Sequence, residues 1–164
     1  MLYLGFLLIS LAAGLMLYEK TERMKRERDE YFAVLSLLLY FKGGIAAERH
    51  TPAELFIGFS KKDEARAIPW LSSLDGGDRV TSFMRERRIL SSVTLLSDAD
   101  KKRLSELFSE LGMHTASEEG ERLGGEIARF SAIAEEKKVS CEKSIKAYWL
   151  LFLTVTLGIF IIIL

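Results

Sequence analysis

Few side chains in this sequence have the type and spacing that catalysis or metal binding requires. The two histidines, His50 and His114, lie far apart, and each comes immediately before a threonine that can begin a helix. Neither has a carboxylate or thiol at metal-ligand spacing, so we interpret both as solvent-facing loop residues. The single cysteine, Cys141, excludes an intrachain disulfide and a zinc ribbon. We interpret it as a small residue on a helix face, with lipidation beside a membrane as the alternative.

The acidic clusters have plain structural explanations. The run from Asp75 to Asp78 (DGGD) begins like a calcium loop but lacks the twelve-residue frame and its bidentate glutamate, so it predicts a turn. Glu118 and Glu119 follow a candidate helix start, where carboxylates favour the helix dipole. The sequence has no G-x-S-x-G, P-loop or H-E-x-x-H motif. We therefore predict a protein that is not an enzyme, with no cofactor, no metal and no small-molecule substrate.

Two uncharged stretches enclose every charged residue of the chain. They are residues 2–18 and residues 147–164, and the 23 basic and 23 acidic residues all lie between them. An 18-residue helix reaches about 27 Å, close to the thickness of the hydrocarbon core. We predict a transmembrane helix over 2–18, a polar domain over 19–146 and a second transmembrane helix over 147–164. The balanced charge gives no sign of nucleic-acid binding.

Basic residues flank both apolar stretches on their inner sides, and basic flanks stay in the cytoplasm. The middle domain is therefore predicted to be cytoplasmic and the lipid bilayer to be a partner of the chain. A cleaved signal peptide is the alternative for residues 2–18, although the basic cluster follows the apolar run instead of preceding it. The flanking residues are Lys20, Arg23, Lys25, Arg26 and Arg28 after the first stretch, and Lys137, Lys138, Lys143 and Lys146 before the second.

Helical signals recur along the whole middle domain. Residues 19–41 predict a helix that continues out of the first apolar stretch, becomes a buried core helix in its second part, and weakens or ends at Gly43-Gly44. Thr51, Pro52 and Glu54 form a capping box that begins the next helix. Residues 68–74 are a short apolar stretch before the predicted turn, and helical spacing follows from Val80 to Leu90.

Two further helices complete the pattern. Ser97 or Asp98 caps one that ends at Gly112, and Thr115 with Glu118 forms a second capping box. The helix that starts there meets no proline, so we predict nearly fifty continuous residues packed antiparallel on the first long helix. Its Gly120–Gly124 pair permits either close helix packing or plain surface glycines. Its 4-3 stripe is Leu123, Ile127, Phe130, Ala134, Lys137 and Cys141. The predicted fold is all-α, an antiparallel bundle of about six helices flanked by the two transmembrane helices.

The order of these features resembles the stage III sporulation protein AB family of endospore-forming bacteria. The resemblance covers the layout of essentially the whole chain. Two departures are Thr115 and Glu119, where the family usually has Asp and Gln. A third is Gly43-Gly44, where the family tends to carry Glu-Ile. The residues that carry the resemblance are Arg23, Arg26 and Arg28, then Thr51-Pro52, Leu107-Phe108-Ser109-Glu110-Leu111-Gly112, and Lys137, Lys138, Lys143 and Lys146.

The resemblance implies a function. Family members are similar to the cytoplasmic helical bundle of type II secretion F and type IV pilus platform proteins. They belong to a secretion-like complex in the mother-cell membrane around the forespore, together with a secretion-type ATPase, stage III sporulation protein AA. By this similarity the chain is expected to be a non-enzymatic platform subunit that contacts the ATPase and other membrane subunits. The expected contact is the turn from Gly112 to Arg122, with Glu118, Glu119, Glu121 and Arg122 exposed.

Two other classes of function remain open from the sequence. A membrane-tethered coiled-coil adaptor or signalling protein would also suit the 4-3 stripe and the lack of catalytic motifs. A membrane enzyme or small transporter is the third class, but neither apolar stretch carries the ionisable residue that a proton relay or substrate site requires.

Overall fold

The structure is a computed structural model, and it describes residues 2–46, 50–71, 77–91 and 93–163. All regular secondary structure in these ranges is helical, which confirms the all-α prediction. They contain five α-helices instead of about six. These are α1 (Leu2–Ala46), α2 (Pro52–Ser60), α3 (Gly77–Arg85), α4 (Asp98–Glu110) and α5 (Ala116–Ile163). Two short 3-10 helices, Asp63–Ala67 and Arg88–Ser91, follow α2 and α3.

The chain divides into two compact units. The first, which we call the helix pair, consists of residues 1–28 and 135–164. The second, which we call the helical domain, consists of residues 29–134. Residues 19–28 and 135–146, which we predicted to belong to the polar domain over 19–146, group in the structure with the two apolar stretches.

An aromatic cluster forms the centre of the helical domain. Phe56 of α2 lies between Phe41 of α1 and Phe108 of α4, with ring centroids 4.7 and 5.0 Å away. Trp70 stacks on Phe83 of α3 at 5.4 Å. The second part of α1 was predicted to be a core helix, and its residues Tyr31, Ala33, Val34, Leu37, Leu38 and Phe41 are all buried. Burial of these side chains against α2, α3 and α4 provides the main stabilising force of the domain.

Helix α1 does not end at Gly43-Gly44, so that part of the prediction is wrong. The helix continues through both glycines to Ala46. A Cβ at position 44 would lie 2.3 Å from Leu55 Cδ2, so glycine is what allows α2 to pack this closely on α1. Ile45, one residue on, is buried. Tertiary packing of this last turn therefore outweighs the low helix propensity of glycine.

The segment predicted to be helical from Val80 to Leu90 is interrupted. Helix α3 ends at Arg85, and Arg87 adopts a left-handed conformation with φ 51° before the 3-10 helix at Arg88. Val80 and Ile89 are nonetheless both buried, so the apolar spacing marks core positions correctly. Of the predicted turn from Asp75 to Asp78, the first two residues lie outside the described residues, and the last two begin α3.

The long terminal helix was predicted correctly. Helix α5 is continuous over 48 residues, and Leu123, Phe130, Ala134 and Cys141 of its 4-3 stripe are buried. Within the helix pair, α1 and α5 run antiparallel. Glu27 accepts a hydrogen bond from Lys137 near one end, and the Lys20 ammonium lies over the Tyr148 ring further along.

Helix α5 is long and apolar enough to cross a membrane, and none of its most apolar window is buried. It is the one helix of this kind among the residues that the structure describes. In α1, the uncharged residues before Glu19 run from Leu2 to Tyr18, which makes 17 residues. A transmembrane helix needs about 20 residues. Residues 2–18 are at the lower limit of this length, so their placement in a membrane is a proposal.

Candidate partner-contact site

The predicted contact surface surrounds the turn between α4 and α5. Helix α4 ends at Glu110, and Gly112 adopts φ +88°, which a residue with a side chain rarely reaches. Thr115 then caps α5. The Thr115 hydroxyl accepts from the Glu118 N–H at 3.4 Å, and the Glu118 carboxylate accepts from the Thr115 N–H at 3.1 Å. The predicted capping box is therefore present.

Glu119 is not exposed, which corrects the prediction for this residue. Only 6% of its surface is accessible, and its carboxylate accepts hydrogen bonds from the Gly112 and His114 N–H groups. The side chain thus satisfies backbone donors that the α4–α5 turn would otherwise leave without partners. Glu119 stabilises the turn from inside and cannot present its charge to another molecule.

The other three predicted contact residues differ in the hydrogen bonds and ion pairs that their side chains form. Glu118 is exposed but belongs to the cap, and the Thr115 N–H and hydroxyl hold the pKa of its carboxyl below the usual value. Arg122 is exposed and forms an ion pair with Glu110 across the turn. Glu121 is exposed, and no contact of its side chain is observed within the described residues. Glu121 is therefore the residue whose charge can be changed with the least effect on the turn.

The start of α2 lies beside this turn. Its capping box is also present, because Thr51 accepts from the Glu54 N–H and Glu54 accepts from the Thr51 N–H. A Cβ at Gly112 would lie 3.6 Å from Pro52 Cγ. The two motifs Thr51-Pro52 and Leu107–Gly112, which are separate in the sequence, thus meet at one place on the helical domain.

A shallow groove of about 260 Å³ opens where these motifs meet. Pro52, Met84, Leu111 and Met113 line it together with side chains of α2, α3 and α4, and Met113 is 74% exposed. Flexible methionines suit surfaces that adapt to a partner. The acidic turn and this groove can together contact another protein.

The residues considered for chemistry remain separate. His50 is exposed and lies 3.9 Å from the Glu54 carboxylate, and His114 is exposed in the α4–α5 turn. Cys141 is buried in the helix pair. Among the described residues, no group of three or more His, Cys, Asp or Glu side chains could hold a metal ion. No neighbouring atom lies within 4 Å of a Cβ at Gly120, so this glycine of the Gly120–Gly124 pair does not mediate close packing.

The basic flanking residues all lie in the helix pair, in two groups. Three of them form ion pairs: Lys25 with Glu22 at 2.7 Å, Lys138 with Glu135 at 3.3 Å, and Lys137 with Glu27. Arg28 is half-buried. The remaining ones, exposed to solvent, are Lys20, Arg23, Arg26, Lys143 and Lys146.

Sequence reasoning missed a buried polar cluster in the helical domain. Asp100 of α4 is 3% exposed and accepts hydrogen bonds from Ser97, from the Tyr31 hydroxyl at 2.7 Å and from Arg129 of α5. Burial raises the pKa of Asp100, but these hydrogen bonds outweigh it and hold the pKa below the usual value. Tyr31 and Arg129 lie 69 and 29 residues from Asp100, so no local pattern could have identified the cluster.

A second polar contact holds the segment before α4. Glu30 of α1 accepts from the Thr94 hydroxyl and from the Leu95 N–H at 2.8 Å. Glu30 is 1% exposed, so its charge contributes to the structure and not to a surface.

No family model, no characterised protein and no solved structure matches this chain.

Proposed function

We propose that this chain is a non-enzymatic platform subunit of a secretion-like complex that endospore formation requires. In this proposal the complex lies in the mother-cell membrane around the forespore, and the helical domain is cytoplasmic. The observation that supports it most is the way the helical domain is attached. Its first and last helices, α1 and α5, each continue into an apolar stretch with exposed leucines and isoleucines. Exposed apolar surface on this scale is typical of contact with a membrane or a partner.

Two anchors would hold the helical domain close to the bilayer surface. The proposed function requires this, because a platform subunit must present one surface to soluble partners and another to membrane subunits. A reporter active only in the cytoplasm, inserted between Asp75 and Asp78, should be active. A reporter active only after export should be silent at the same site. The reverse pattern would contradict the proposed topology.

The proposed partner of the acidic turn is a secretion-type ATPase, stage III sporulation protein AA. Glu121→Lys should weaken its co-purification with the full-length chain, because this exposed side chain can lose its charge without breaking the cap or the turn. Glu136→Lys is a matched control, since Glu136 is also exposed on α5 but lies fifteen residues further along. Equal capture by both variants would remove the turn as the contact surface. Normal thermal stability of both variants is expected, because exposed substitutions usually change it by within about 0.5 kcal/mol.

The membrane-tethered adaptor remains the second candidate, and the buried 4-3 stripe of α5 favours it. Genomic context distinguishes the two. A neighbouring gene for a secretion ATPase within a sporulation operon supports the platform, and its absence supports the adaptor.

A further inference from the structure

The helix pair contains an apolar groove of about 860 Å³. Side chains of α1 from Gly5 to Lys20 form one wall, and side chains of α5 from Tyr148 to Ile159 form the other. The wall residues are apolar except for two hydroxyls, on Ser10 and Thr156, and for Lys20 and Tyr148 at one end. The volume lies within the range of about 300–1,000 Å³ that is usual for sites that hold small ligands.

The polar end of the groove is positively charged. The Lys20 ammonium lies 4.1 Å from the centroid of the Tyr148 ring, and this cation–π contact keeps the charge at the groove end. Arg23 lies one helical turn further along α1, and Lys146 lies two residues before Tyr148. Both are exposed, and neither forms an ion pair with a residue that the structure describes. Lys20, with Arg23 one turn away, therefore makes this end of the groove positive, against the exposed carboxylate of Glu19.

The part of the groove between Lys20 and Ser10 matches one leaflet of a bilayer, and the α1 wall continues a further five residues to Gly5. Lys20 and Ser10 are ten residues apart on a helix, a distance of about 15 Å. The hydrocarbon core is about 30 Å thick, so one leaflet contributes about 15 Å. The apolar wall between the cations and the hydroxyls is thus long enough for the acyl chains of a lipid from a single leaflet.

We propose that this groove holds one anionic phospholipid. Its phosphate lies at Lys20, and an acyl chain lies along Ala13, Leu17, Leu151 and Val155. Basic pockets between helices at the cytoplasmic surface are known to hold anionic headgroups, which fits the charge found here. The inference rests on the proposed placement of both apolar stretches in the membrane. A transmembrane helix from another protein is the competing occupant, and the experiment below separates the two.

The test measures lipid retention by the full-length protein purified from vesicles of equal parts phosphatidylglycerol and phosphatidylcholine. Native mass spectrometry should show bound phosphatidylglycerol in excess. Lys20→Gln should lower this retention about fivefold, the effect of one basic residue near a membrane surface. Lys138→Gln removes the same charge about 15 Å further along α5, beyond the Debye length of about 8 Å, and should change retention less than twofold.

A second pair of variants tests the groove itself. Ala13→Phe fills the groove and should displace the lipid, whereas Ala12→Phe adds the same ring at an exposed position that does not line the groove. A photoreactive amino acid in place of Met16 should form a crosslink with the mass of a phospholipid.

Several results would overturn the proposal. One is equal retention of phosphatidylglycerol and phosphatidylcholine. Another is an equal loss of lipid from the two lysine variants or from the two alanine variants. A third is a crosslink from position 16 to a second protein. Extraction of the chain from membranes by alkaline carbonate would reject the membrane placement as well. If the chain resists extraction but shows no lipid preference, the lipid proposal fails and the proposed function stands.

Discussion

Asp100→Asn should destabilise the helical domain. Its cost should exceed that of changing any exposed acidic side chain to its amide. Asp100 is 3% exposed and receives hydrogen bonds from Ser97, Tyr31 and Arg129, which belong to the α4 cap, α1 and α5. The asparagine keeps the shape of the side chain but loses the charge. It removes the Asp100 carboxylate from the Arg129 guanidinium, which is 30% exposed and keeps the Glu126 carboxylate at 3.5 Å.

The expected cost follows from these contacts. A hydrogen bond to a charged group contributes about 1.5–3 kcal/mol. Breaking a fully buried ion pair costs about 3–5 kcal/mol. Because Arg129 keeps partial access to water and asparagine can still accept one or two hydrogen bonds, we expect a loss of about 2–4 kcal/mol. Asp98→Asn is the matched control, since that side chain is fully exposed at the start of the same helix. Its cost should stay within about 0.5 kcal/mol.

Trp70 provides a probe that reports on the helical domain alone. The chain has two tryptophans, and Trp149→Phe removes the one in the second apolar stretch. Urea unfolding of the full-length protein in detergent, followed by Trp70 fluorescence, then gives the midpoint for the domain. With a slope of about 2 kcal/mol per molar urea, the middle of the usual range, the midpoint of Asp100→Asn should fall by about 1–2 M. A fall no larger than that of Asp98→Asn would refute the role of the cluster.

Three further predictions follow from buried contacts. The pKa of Asp100 is lowered on folding, so its stabilisation is complete above the unfolded value of about 3.9 and is lost as pH falls below it. The urea midpoint should therefore drop as the pH falls below about 4, and Asp100→Asn should flatten this drop. Gly44→Ala should lower the midpoint because its Cβ would lie 2.3 Å from Leu55, whereas Gly43→Ala, with open space around its Cβ, should leave it unchanged or raise it. Phe130→Asp places a charge at a fully buried position and should abolish the cooperative Trp70 transition, whereas Ala128→Asp, exposed on the same helix, should retain it.

Local sequence signals predicted the parts of this fold that local interactions determine. Thr51 and Thr115 each cap a helix with a glutamate three residues on, and both caps formed as expected. The 4-3 spacing of Leu123, Phe130 and Ala134 correctly identified the buried face of α5. These features depend on residues within one or two helical turns of each other, which a sequence displays directly.

The predictions that failed concern features that depend on residues distant in the sequence. Gly43-Gly44 weakens an isolated helix, and only contact with Leu55 of α2 explains why α1 continues there. Glu119 has the pattern of an ordinary acidic residue in a first helical turn, and its burial depends on how the Gly112 turn folds back over it. These outcomes depend on tertiary packing, which local propensity does not encode.

The most direct test of the proposed function is deletion of the gene in its host, which the proposal expects to form endospores. Spore development should stop after engulfment while vegetative growth stays normal, and the full-length gene should restore sporulation. A version that lacks residues 147–164 should be made at normal levels but should fail to restore it, because one anchor no longer holds the helical domain at the membrane. A deletion strain that sporulates normally would contradict the platform proposal and leave the tethered adaptor as the better explanation.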